Sequence, residues 1–106
     1  MTQRITTALS IHYRVKPGKR GAVLVEIKGV LDRCAQEPEL ITGIVHETPE
    51  RPNEFVFYEL WKGTRAEFDA IQGPKSYRKA YMENVKPFLE RRTLSGTHRS
   101  WNGGQT

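Results

Sequence analysis

A chain of 106 residues, 37% hydrophobic and 27% charged, has room for one modest core and the ordinary composition of a globular protein. Its net charge of +5 is mostly scattered among acids (Glu26 near Lys28, Asp32 beside Arg33, Glu50 beside Arg51, Arg65 near Glu67); the one dense stretch, Arg91-Arg92 with His98-Arg99, comes with no zinc spacing or RNA-binding signature, which argues against a nucleic-acid partner. The single cysteine, Cys34, excludes an internal disulfide, no apolar run approaches the roughly 20 residues of a membrane span, and the polar opening Met1-Thr2-Gln3-Arg4 does not read as a signal peptide, so the expected location is the cytoplasm with no membrane contact.

Along the chain, Leu9, Ile11, Tyr13 and Val15 alternate with Ser10, His12 and Arg14, a period of two that predicts a strand. Lys16-Pro17-Gly18-Lys19 reads as a turn. From Arg20 to Gln36 the period changes, and Val23, Ile27, Val30, Leu31 and Cys34 form one helical stripe, ended by Pro38. Leu40 to Glu47 predicts a second strand, and Thr48 to Asn53, with two prolines, a hairpin loop. Phe55 to Trp61 is the strongest strand by aromatic and β-branched content.

Thr64 and Glu67 have capping-box spacing at the head of a short helix carrying Phe68 and Ile71. Gly73-Pro74 interrupts it, with Pro74 suited to the first turn of the next helix. Tyr77, Tyr81, Val85, Phe88 and Leu89 give that helix its stripe, and Pro87 should loosen its end. Thr93 to Trp101 predicts the last strand, and 102–106 a flexible tail. The whole chain, 1–106, is expected to be a single domain with its core over about 7–101.

The order β-α-β-β-α-β predicts an α+β, ferredoxin-like fold: a four-stranded antiparallel sheet with the helices on one face. The third strand is apolar on both sides, with Phe55, Phe57 and Trp61 on one and Val56, Tyr58 and Leu60 on the other. Helices cover only one face, so the pattern predicts a homodimer whose second sheet covers the other.

Val15-Lys16-Pro17-Gly18-Lys19, the strand Phe55-Val56-Phe57-Tyr58-Glu59-Leu60-Trp61 and the following helix with Ala66, Glu67 and Phe68 together resemble the antibiotic biosynthesis monooxygenase family of the dimeric α/β-barrel superfamily, over about Leu9 to Leu89. The resemblance implies a barrel-like dimer with a ligand cavity between sheet and helices or inside the barrel. It also implies oxygenation of phenols or quinols with neither metal nor flavin, so no cofactor is expected. In many family members the tryptophan matching Trp61 lines the pocket, which implies the same place for Trp61. This chain departs from the family at several positions. Ile71 stands where many members have a histidine, and Phe57 where some polyketide-oxidising members have an asparagine. Ser10, Ile71 and Tyr81 replace the three side chains of the haem-degrading branch, which argues against haem turnover.

Glu59 alternates with Phe57 and Trp61 and is expected to point into an aromatic-lined space. A lone buried carboxylate takes up a proton or finds a cation. Across the neighbouring strands the polar residues include Arg14, His12 and His46, any of which is expected to be able to meet it. A carboxylate with a histidine beside aromatic walls can deprotonate a phenol. The candidate catalytic residues are therefore Glu59, His46 and His12, with Trp61, Phe57, Phe68, Arg14 and Tyr81 binding a small aromatic molecule. The three histidines lack metal-ligand spacing, so no metal site is expected. Cys34 reads as an inert core thiol. Two readings stand: a cofactor-independent monooxygenase, and a non-catalytic small-molecule-binding or stress-response protein of the same fold.

Overall fold

The computed structural model of the chain describes residues 4–101, with side chains described for 5–95. The expected tail at 102–106 and the His98 side chain lie outside these. Four strands and three α-helices follow in the order β1 (Arg4–Val15), α1 (Arg20–Cys34), β2 (Leu40–Thr48), β3 (Arg51–Lys62), α2 (Arg65–Gln72), α3 (Ser76–Val85) and β4 (Leu89–Trp101). The sheet is antiparallel throughout, in the order β2-β3-β1-β4, as a ferredoxin-like fold requires. No helix among the described residues is long and apolar enough to cross a membrane.

The alternation in β1 sends Leu9, Ile11, Tyr13 and Val15 to the helix side, where all four are buried. Antiparallel pairing puts cross-strand partners on one face. Ile11 opposite Phe57 and Tyr13 opposite Phe55 therefore bring the aromatic side of β3 under the helices. There Phe55, Phe57 and Trp61 meet Val23, Ile27, Val30 and Cys34 of α1 in one core. Each such side chain contributes about 1.5–3 kcal/mol on full burial. The uncovered face is thus the side of β3 that carries Val56, Tyr58 and Leu60, with Tyr58 47% exposed, beside Ile44 of β2 at 51%.

Several element boundaries differ from expectation, among them β1, which begins at Arg4 rather than near Leu9, and α1, which ends at Cys34 rather than Gln36. Thr48 pairs with Arg51, so the β2–β3 hairpin turns tightly at Pro49-Glu50 and β3 starts four residues before the aromatic run. Pro74 precedes α3, whose N-cap is Lys75. The helix also ends at Val85: Pro87 sits in a short 3₁₀ turn, Lys86–Phe88, and Leu89 already belongs to β4. The extra pairing energy of a long strand beside β1, from Val15 opposite Leu89 to Arg4 opposite Trp101, outweighs the helical stripe that Phe88 and Leu89 continued. The capping box forms as expected: Glu67 N–H donates to Thr64 Oγ1 at 3.1 Å, and Thr64 N–H to Glu67 Oε1 at 2.9 Å. Gly63, at φ +94°, makes the preceding turn in a conformation that side chains other than glycine's resist.

Candidate functional site

Between the helix side of β1, β3 and β4 and the helices α2 and α3 lies a cavity of about 460 Å³, within the size range of small-molecule sites. Leu9, Ile11, Phe57, Phe68 and Leu94 supply its apolar wall. Its polar members come from four elements and include Glu59 on β3, Asp69 and Gln72 on α2, Arg78, Lys79, Tyr81 and Glu83 on α3, and Arg92 on β4.

Glu59 is only 5% exposed, and burying a carboxylate without a donor is expensive. Trp61 lies two residues on, hence on the same strand face, and its Nε1–H donates to Glu59 Oε1 at 2.8 Å. That leaves the second carboxylate oxygen for whatever enters the cavity. Opposite Glu59 stand Leu9 on one side and Gly43 on the other, so neither neighbouring strand competes for the carboxylate.

Tyr13 and Tyr81 share a hydrogen bond of 2.6 Å between their hydroxyls. Burial pushes the Tyr13 phenol above its ordinary pKa against the smaller pull of Tyr81 and Arg92. Burial, and then the neighbouring Tyr13, push Tyr81 up further. Both phenols are therefore neutral at physiological pH; one O–H is donated within the pair and the other remains as a hydrogen-bond donor. Phe57 packs edge-on against Tyr13 with ring centroids 5.2 Å apart, which fixes that phenol in place.

A second group closes the α2–α3 end. Arg78 donates from Nε to Gln72 Oε1 at 3.2 Å and from Nη2 to Cys34 Sγ at 3.3 Å. Its guanidinium lies 5.2 Å from the ring centroids of both Trp61 and Phe68, within cation–π range. Burial raises the Cys34 thiol pKa in spite of Arg78, so the thiol stays protonated, as its place on the core stripe suggested. Behind it, Lys75 grips Glu37 at 2.7 Å and holds that carboxyl below its usual range. Tyr77 bridges Glu37 and Gln72 at 3.3 and 3.4 Å. Gln72 Nε2 is buried and completes no hydrogen bond, although its amide lies near enough to help hold the Glu37 carboxyl down.

Of the residues expected from the sequence, Glu59, Phe57, Phe68 and Tyr81 line this cavity together. Trp61 is fully buried behind them, touching Phe68 edge-on at 5.2 Å and holding Glu59 rather than forming open wall. His12, Arg14 and His46 lie on the opposite face of the sheet, so the expected meeting with Glu59 does not occur. The register decides this. Glu59 pairs with Leu9, whereas His12 and His46 flank Val56 and Arg14 pairs with Glu54. His12 bonds Ser10 at 3.2 Å, Arg14 pairs with the Glu54 carboxylate at 3.5 Å, and His46 stands edge-on to Tyr58 at 5.8 Å. Sequence reasoning did not single out Tyr13, Arg78 or Arg92 as residues of the site. The available signal was Tyr13's place on the same alternating face as Leu9 and Ile11.

The sequence profile of the antibiotic biosynthesis monooxygenase family matches residues 7–83. A candidate antibiotic biosynthesis monooxygenase of Nitrosomonas europaea superposes with a TM-score of 0.76 at 16% identity, over 100% of this chain and 98% of that one. A protein of Shewanella oneidensis gives 0.77 at 19% identity, over 93% and 94% of the two chains. A conserved Bacteroides thetaiotaomicron protein of unknown function gives 0.78 at 17%, over 89% and 97%. At these identities the likeness to solved structures is one of fold. No curated protein sequence matches the chain. With the profile match covering well over half its length, the chain belongs to the antibiotic biosynthesis monooxygenase family.

Proposed function

We propose that this protein is a cytoplasmic, homodimeric monooxygenase of one domain that oxygenates a small phenol or quinol in the cavity between sheet and helices, with no bound cofactor. The observation that carries this reading is the buried Glu59 carboxylate, held by the Trp61 indole N–H at 2.8 Å and facing an aromatic-walled cavity that also contains Tyr81. A carboxylate so placed accepts the phenol proton. The Tyr13–Tyr81 pair supplies a neutral O–H donor for the resulting phenolate oxygen. The electron-rich para carbon then bonds to O₂, giving a hydroperoxide. Loss of the para hydrogen and cleavage of the O–O bond yield the para-quinone, and the proton kept by Glu59 leaves in the water formed. The sum is phenol plus O₂ to quinone plus water, with carbon oxidised and oxygen reduced and no outside electron donor.

Members of the family are generally dimeric, and the exposed Ile44 and Tyr58 with the half-buried Val56 and Leu60 give the open sheet face an apolar patch suited to a second copy. In a dimer built on that face, His12 and His46 lie at the subunit interface, away from Glu59.

A second reading, a non-catalytic binding protein, is favoured by Phe57, which puts an apolar ring in the cavity where some relatives carry an amide. Exposure to 1-naphthol under ¹⁸O₂ separates the two. The catalytic reading expects one labelled oxygen in the naphthoquinone and the other in water. Naphthol binding with no oxygen uptake, across a panel of naphthols and naphthoquinols, contradicts it.

A further inference from the structure

Arg78 is a cation in the cavity wall that has no carboxylate within ion-pair distance among the described residues. A guanidinium carries five N–H donors. The contacts to Gln72 Oε1 and to the weak acceptor Cys34 Sγ use two of them. Those two contacts, with the rings of Trp61 and Phe68 each 5.2 Å away, fix the guanidinium without neutralising it. A planar, positioned guanidinium with donors to spare matches the two oxygens of a carboxylate.

Trp61 relates this cation to Glu59. The Glu59 carboxylate binds the indole at its N–H edge, and Arg78 lies over its ring face. A base and a cation are thus presented from neighbouring points along one wall of the same apolar cavity. Of the other acids around the cavity, Asp69 is already paired with Arg65 at 3.0 Å, and Glu83 is exposed.

We infer that the cavity's ligand is an aromatic hydroxy acid, its carboxylate received by Arg78 and its phenolic hydroxyl turned to Glu59. This rests on the proposed function only for where the hydroxyl points; the carboxylate site stands on Arg78 alone. Arg78 is then the residue that selects acids over neutral phenols, and it fixes which ring position faces the base.

Calorimetry under nitrogen, where no oxygenation takes place, tests this with 6-hydroxy-2-naphthoate and its methyl ester. Wild-type protein should bind the acid about tenfold or more tightly than the ester, the scale of a charge-assisted bidentate contact. R78Q should bring the two affinities together by weakening the acid alone, and R92Q should leave the preference in place. Equal binding of acid and ester by the wild type overturns the inference, as does a preference that survives R78Q or is lost in R92Q instead. Should R78Q not fold, phenylglyoxal labelling of the wild type answers the same question. The naphthoate, but not its ester, should shield Arg78 in peptide maps, and equal labelling in both overturns the assignment. Acid selectivity without oxygen uptake would remove the monooxygenase reading and leave this inference intact. Oxygen uptake on a neutral naphthol with no acid selectivity would do the reverse.

Discussion

The Trp61 indole N–H donates to Glu59 Oε1 at 2.8 Å, so this strand tryptophan serves as the clamp of a buried carboxylate. Its ring is fully buried, and the bond joins two side chains whose Cα atoms lie two residues apart on one strand face. Replacing Trp61 by Phe keeps most of the ring volume and removes the donor. An acceptor buried without its partner costs about 1–3 kcal/mol. For a domain near this size each kcal/mol corresponds to about 4–8 °C in melting temperature. W61F should therefore melt lower, and a double-mutant cycle with E59M, which keeps the side-chain length and removes the acceptor, should show a coupling of about 0.5–3 kcal/mol. Strictly additive effects would mean that the bond contributes nothing.

The tyrosine pair makes stability sensitive to alkaline pH. Burial raises the pKa of both Tyr13 and Tyr81 above the ordinary value of 10.0. A group whose folded pKa is raised keeps its proton in the folded state after the unfolded chain has lost it. The associated stability is full below about pH 10 and is lost as pH rises beyond it towards the folded values. Denaturant midpoints should accordingly fall between about pH 10 and 11 in the wild type, and the Y13F/Y81F double variant should show a shallower fall. Parallel curves for the two proteins would show that the pair does not titrate with unfolding.

How far the site was legible in the sequence turns on register. Alternation along β3 alone was enough to put Phe57, Glu59 and Trp61 on one face, and the capping box at Thr64 and Glu67 was readable from spacing. Alternation does not say which face of β1 joins them. A shift of one residue exchanges every partner, so His12 and Arg14 seemed as available to Glu59 as Leu9 and Ile11. The helices settle the matter, because their buried stripe of Val23, Ile27 and Val30 needs the apolar side of β1 beneath it. Arg78 was hidden for another reason. Its neighbours Trp61, Phe68, Gln72 and Cys34 come from β3, α2 and α1, and no local pattern in α3 announces such a meeting.

The open sheet face gives a test of assembly. A specific interface there should bury at least about 1,000 Å² in total, centred on Ile44 and Tyr58. Light scattering at micromolar concentration should give a dimer for the wild type and a monomer for I44D/Y58D, since two buried, unpaired charges per subunit oppose association. A wild-type monomer, or a dimer unaffected by both substitutions, would place the contact elsewhere or remove it.

The most direct measurement is oxygen uptake on a responsive naphthol by E59Q and wild type, normalised to folded protein. Glutamine keeps the shape and can still accept the Trp61 N–H through its carbonyl oxygen, so the melting temperature should change little. The loss of the proton acceptor should slow turnover by about 10² or more, the usual range for a general base. Turnover by E59Q at the wild-type rate would contradict the role given to Glu59.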